Sequence, residues 1–192
     1  MLKETELKIL SSFFPEGKEI TLKRIMEKSK LSYEPVYRTV KELCDKKLVF
    51  EKRFGKTSIY ELNYLKEEVK LDFFFYAKER LSQFSKNNGV IAKALSLIED
   101  VDFLAVFGSY AKGNATKESD IDIICVSSRK KEIEHEIYGL KYSTNLDFAP
   151  VVIPKKEFGK IKKENEVFWN DLVKFGIIFK GYELFYSQSY LS

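Results

Sequence analysis

The stretch VFGSYAKGNATKESDIDIICV, residues 106–126, sets two acids, Asp120 and Asp122, among Ile121, Ile123, Ile124 and Val126. A strand through that run puts both carboxyls on one face, with Cα atoms about 6–7 Å apart. Two like charges that close raise one another's pKa unless a cation lies between them. Oxygen donors without His or Cys select magnesium or manganese. A pair of such ions about 3.5–4 Å apart is a phosphoryl-transfer centre. Gly108 and Ser109 close the apolar run VDFLAVFG and open the helical turn SYAKG. Backbone N–H groups at such a turn, with the Ser hydroxyl, suit a phosphate, and Lys112 lies within reach of the same anion. The spacing Gly108-x4-Gly113 is that of a P-loop, but Asn114 stands where a P-loop requires Lys.

Taken together, the pattern G-S-x10-D-x-D formed by Gly108, Ser109, Asp120 and Asp122 resembles the signature of the nucleotidyltransferase superfamily related to DNA polymerase β. The fuller string is similar to its minimal nucleotidyltransferase branch, and the resemblance spans about residues 89–192. It implies an NTP donor, ATP first among them, whose triphosphate rests on Gly108 and Ser109 with Lys112 on the outer phosphates. It implies Mg2+ (or Mn2+) held by Asp120 and Asp122, and a third carboxylate from a neighbouring strand. Asp147, alone in STNLDFAPVVIP, matches that role; it would complete the second metal site and help activate an acceptor hydroxyl. That hydroxyl would attack the α-phosphorus in line and release pyrophosphate, with positioning and charge neutralisation supplying most of the catalysis. The acceptor is open: a partner protein, as for antitoxins that modify a toxin with AMP, or a small molecule. The competing reading is a non-enzymatic DNA-binding transcriptional regulator whose nucleotidyltransferase-like part senses nucleotide or acts as a scaffold. The intact set of acids opposes it, because a charged pair without metal costs stability.

These residues need a sheet to hold them, and the chain around them reads as α+β. VIAKALSLIED is helical, VDFLAVFG is a buried strand, and VFWNDLVKFGIIFKGYELF reads as a closing helix and strand, giving a mixed sheet flanked by helices. Trp169 and its Phe neighbours read as core. Glu132, Glu134, Glu136 and His135 read as a solvated face.

The N-terminal third has another character. ETELKILSSFF, residues 4–14, TLKRIMEKS and SYEPVYRTVKELCDKKL read as three helices, broken at Pro15 and Gly17, with Thr21 and Ser32 as N-caps and Val36, Val40 and Leu43 inward. LVFEKRFGKTSIYELN is a hairpin around Phe54-Gly55-Lys56-Thr57. Over residues 1–64 this order, with S-x-x-x-V-Y-R-x-V-x-x-L in the third helix, resembles the winged helix-turn-helix family. The resemblance implies that Tyr37, Arg38 and Lys41 face DNA, with Arg53 and Lys56 near phosphates. A purely protein-binding wing is the alternative. Residues 65–88 read as a connecting helix, over 65–84, ended by KNNG. Phe73, Phe74, Phe75 and Tyr76 point all round it, which calls for cover on several sides, by the flanking domains or by a homodimer seam. Residues 89–192 form the nucleotidyltransferase domain of this reading.

Charge supports two segments with different partners. Residues 1–65 carry 14 Lys and Arg against 10 Asp and Glu, an excess of four, whereas residues 66–192 carry 19 of each sign. Two Cys and one His make neither a disulfide framework, a zinc site nor a His-based triad. No apolar run approaches a membrane span and no signal pattern opens the chain, so no membrane partner and a cytoplasmic location are expected.

Overall fold

The structure is a computed structural model and describes residues 2–15 and 19–191. It divides into two compact units, one reaching to Tyr76 and the other running from Ala77 to Tyr190.

In the first unit, helix α1 (Glu4–Ser11) is followed by strand β1 (Ile20–Thr21), α2 (Leu22–Ser29), α3 (Tyr33–Asp45), β2 (Val49–Phe54) and β3 (Thr57–Leu62). Helix α4 (Glu67–Asn87) begins in this unit and ends in the second. The helix expected over 4–14 stops at Ser11, and residues 12–15 form a turn that still buries Phe13 and Phe14. Gly17 of the expected break lies outside the described residues. Thr21 caps α2, its hydroxyl accepting from the Arg24 amide at 3.3 Å. Ser32 holds the N-cap position of α3 in extended geometry, but its side chain makes no capping bond. Val36, Val40 and Leu43 are buried as the helical spacing requires. The hairpin turns at Gly55 (φ +60°) and Lys56, with Phe54 opposite Thr57, and the short strand β1 adds to it in the order β1-β3-β2. Phe73 is buried and packs edge-on to Phe14 at 5.3 Å, whereas Phe75 is exposed.

The second unit continues through α5 (Gly89–Ser96), β4 (Phe103–Val106), α6 (Gly108–Lys112), β5 (Ile121–Val126), α7 (Lys130–Thr144), β6 (Phe148–Ile153), α8 (Lys155–Glu164), α9 (Glu166–Phe175), β7 (Ile177–Lys180) and α10 (Tyr182–Tyr186), and ends in a π-helical turn, Ser187–Leu191. The sheet order is β6-β5-β4-β7, with β5 and β6 parallel across the α7 crossover and β4 antiparallel to both neighbours. The sheet is therefore mixed, as expected, and the molecule is α+β.

Alternation along the strands gives the sheet two faces. Leu104, Val106, Ile121, Ile123 and Cys125 lie on one, in a core shared with Ile91 and Leu95 of α5 and Ile133 and Ile137 of α7. Phe103 lies on the other, stacked on Phe185 at 5.5 Å and against Phe158 at 4.9 Å. Trp169 completes that aromatic cluster and is 3% exposed, which bears out its reading as core. Among the described residues no helix is long and apolar enough to cross a membrane.

Candidate active site

The site is built where three strands present their ends together. β4 delivers the chain to Phe107, whose amide donates to the Asp122 carbonyl at 3.0 Å, and Gly108 then turns the chain into α6. Gly108 has φ +67°, and a Cβ there would lie 1.9 Å from Asp122 Oδ2. The glycine thus serves two needs at once: a left-handed backbone and room for the carboxyl of the facing strand. Ser109 follows in the first turn of α6.

Asp120 stands one residue ahead of β5 and Asp122 is the second residue in it, two positions apart and so on one face, as the spacing predicts. Asp122 is half-buried. Burial, and then the neighbouring charge of Asp120, push its carboxyl above the ordinary carboxylate value. The pair fits one hard divalent cation, which would relieve that repulsion.

Asp147 immediately precedes β6, and its carbonyl accepts from the Ile121 amide at 2.8 Å. That register sets Asp147 beside Asp120 at the start of two parallel strands, with Ala149 next to Asp122. Its carboxylate, however, is bonded to the ammonium of Lys141 on α7. That bond, the charge of Asp147 and, to a lesser degree, Asp120 raise the lysine's pKa. Among the described residues no three His, Cys, Asp or Glu side chains gather into a metal-holding group. The structure brings Asp120 and Asp122 together with the Gly108 turn; it does not bring Asp147 into the same cluster.

Lys112 also departs from its expected direction. Its ammonium pairs with Asp171 of α9 at 2.5 Å and lies 5.4 Å from the centre of the Phe175 ring. An open groove of about 1040 Å³ runs from Asp120 and Asp147 along α7, past Lys141, Tyr138, Tyr142 and His135. His135 falls where the sequence reads as a solvated face, and no motif in the sequence singles out Lys141, Tyr138 or Tyr142. Their signal lies in helical phase, and it becomes readable only once α7 is known to end against β6.

In the first unit, Tyr37 and Arg38 are exposed on α3. Tyr37 stacks on Tyr33 with ring centres 5.6 Å apart. Lys41 is turned to β2, where its ammonium pairs with Glu51 at 2.7 Å. Arg53 is exposed and lies 3.5 Å from the same Glu51, and Lys56 is exposed at the hairpin tip.

Compared with known proteins, the chain matches none of the curated sequences and none of the solved structures. Residues 88–180, which hold the Gly108 turn, both acids of β5 and Asp147, match the family model described as a nucleotidyltransferase domain, and that is the family to which this part of the chain is similar.

Proposed function

We propose that the second unit transfers a nucleoside monophosphate, AMP from ATP first among them, from an NTP to an acceptor hydroxyl. The observation that carries this reading is the close approach of Gly108 to Asp122: the turn proposed for phosphate and the acid proposed for the metal meet with no room for a side chain between them. Ser109 and the free amides of the turn would bind phosphate oxygens, and Asp120 with Asp122 would hold Mg2+ or Mn2+. That ion, when bound, supplies charge neutralisation for the triphosphate. The residues of the chain do the rest by positioning. The turn would fix the phosphate chain, and Asp147, next to Asp120 in the β5–β6 register, would meet an acceptor hydroxyl entering from the α7 groove. Asp147 would orient that hydroxyl and take up its proton. A polypeptide hydroxyl is the acceptor that an antitoxin-like enzyme would use.

The first unit, on this proposal, is a winged helix that contacts DNA through Tyr37, Arg38, Arg53 and Lys56. Lys41 is largely neutralised by Glu51 and would contribute less. A second reading has support of its own: Lys112 and Asp147 are both engaged by protein charges, as in a regulator that senses nucleotide without turning it over.

Calorimetric titration of ATP into the protein, with and without magnesium, separates these readings when combined with a transfer assay. Magnesium-dependent binding lost in Asp120→Ala/Asp122→Ala, together with label transfer from α-labelled ATP, is the expected result. Binding without transfer to any polypeptide, nucleic acid or small hydroxyl acceptor would favour the sensor. No binding by any NTP would overturn both.

A further inference from the structure

The three acids of the site do not share one focus. The Asp122 carboxyl is turned toward Gly108, filling the space a Cβ would need. Asp147 opens instead onto the groove beside α7, which Asp120 and Lys141 also line. No metal-holding group of three forms among the described residues. The partner Asp147 has is the ammonium of Lys141.

That partnership follows from local chain geometry. Helix α7 ends at Thr144, and Asn145 reverses the chain in the left-handed region at φ +58°. The last turn of the helix is thereby folded over the start of β6, with Lys141 and Asp147 six positions apart. An ammonium tethered at that distance is present at high effective concentration, whereas a free ion must be drawn from solution. An ion at Asp147 would draw on the Asp120 carboxylate that lines the same groove, and the Lys141 ammonium already holds the Asp147 side of that pair. The charge count agrees. Three carboxylates and one ammonium leave a site charge that a single divalent cation neutralises.

We infer that Lys141 takes the place of a second metal at Asp147, so that the acid set of this chain binds one divalent cation, at Asp120 and Asp122. The inference rests on the reading of Asp120 and Asp122 as a cation site given above. Lys141 acts as a positioning residue: it holds the Asp147 carboxylate at the mouth of the groove and balances its charge, where a two-metal centre would use an ion.

The test is a manganese titration of the full chain without nucleotide, read as free Mn2+ by electron paramagnetic resonance. Wild type is expected to bind one ion, Asp147→Asn to bind one with unchanged affinity, and Asp122→Asn to bind none. Lys141→Met, which keeps the length and removes the charge, is expected to gain a second ion. Lys141→Arg should stay at one, and Lys141→Met/Asp147→Asn should return to one. The side chains of Lys141 and Asp147 are 57% and 59% exposed, so these variants leave the core intact. Two ions in wild type, one of them lost with Asp147→Asn, would overturn the inference while keeping the cation site. So would a single ion in Lys141→Met. A wild type that binds no manganese would instead remove the cation site itself, and this inference with it.

Discussion

Gly108 admits no side chain for two separable reasons, its positive φ and the carboxyl of Asp122. Gly108→Ala must therefore displace Asp122 as well as strain the turn, at a cost on the order of 1–3 kcal/mol. The expected outcome is a folded protein whose magnesium-dependent ATP affinity falls at least about tenfold, equivalent to about 1.4 kcal/mol; wild-type affinity in the alanine variant would separate the turn from the site. Asp122 makes a second prediction. Its folded pKa is raised by burial and then by Asp120, so the folded state holds its proton to higher pH than the unfolded chain does. The stability it contributes is full below the ordinary carboxylate pKa and is lost as pH rises through the raised value. Asp122→Asn should thus raise the melting temperature of the metal-free protein at neutral pH, and by less in acid, while abolishing transfer. An unchanged or lowered melting temperature would mean that the carboxylate is not a strained one. At this scale spacing foretells that Asp120 and Asp122 share a face, whereas the close approach of Gly108 to Asp122 shows only in three dimensions. Lys112 and Lys141 were not legible, because a flexible lysine goes to whichever acid the fold brings near, and Asp171 and Asp147 are neighbours only in three dimensions.

Elements tell a similar story. The helical stripes of α3 and the hairpin follow from local pattern, and the mixed sheet follows from apolar runs with the aspartates at its edge. The end of α1 did not, since Phe13 and Phe14 continue the apolar pattern while the chain already turns. Asp72 is another feature that periodicity hides. It is 1% exposed on α4, and both its carboxyl oxygens accept from Ser11 Oγ, at 3.2 and 3.1 Å. Burial pushes it from 3.8 up to about 7, with the Ser11 bond pulling the other way. The folded state therefore keeps a proton that the unfolded chain has released, and the associated stability, whole below pH 3.8, is lost as pH rises toward 7. Asp72→Asn should stabilise the first unit by roughly 2–4 kcal/mol at about pH 8 and by less near pH 5. Urea midpoints at the two pH values check it, and a variant less stable than wild type at the higher pH would contradict the burial argument. Strand β6 carries a different device. Ile121 donates to the Asp147 carbonyl and Ser127 to that of Ile153, so the alternate residues Phe148, Pro150 and Val152 turn their backbone to the free edge. Pro150 removes a donor there, which makes this terminal strand of the sheet a poorer template for pairing with another chain. Pro150→Val is expected to increase self-association in light scattering, and no change would show that the edge is guarded by something else.

For the molecule as a whole, the charge excess of the N-terminal third sets what DNA binding should look like. Of the four cations read as facing DNA, Lys41 is held by Glu51 at 2.7 Å with 35% of its side chain exposed, whereas Arg53, 3.5 Å from the same acid, is 73% exposed and Arg38 and Lys56 are exposed too, so these three are the ones open to phosphate. About three phosphate contacts give a salt slope near −3 in log affinity against log salt. Arg38→Ala should weaken binding to duplex DNA in an anisotropy titration and flatten that slope by about one, more than Lys41→Ala does. Equal effects of the two substitutions would place Lys41 back at the interface. The two units can also be told apart by light. Trp169 is the chain's one tryptophan, and it is sealed between Phe158 and Phe185 in the second unit. Its emission is thus a private reporter of that unit, while far-ultraviolet dichroism sums the helices of both. A denaturation curve in which the two signals part company would time the loss of the second unit separately from that of the helices before it, without any label being added to the protein.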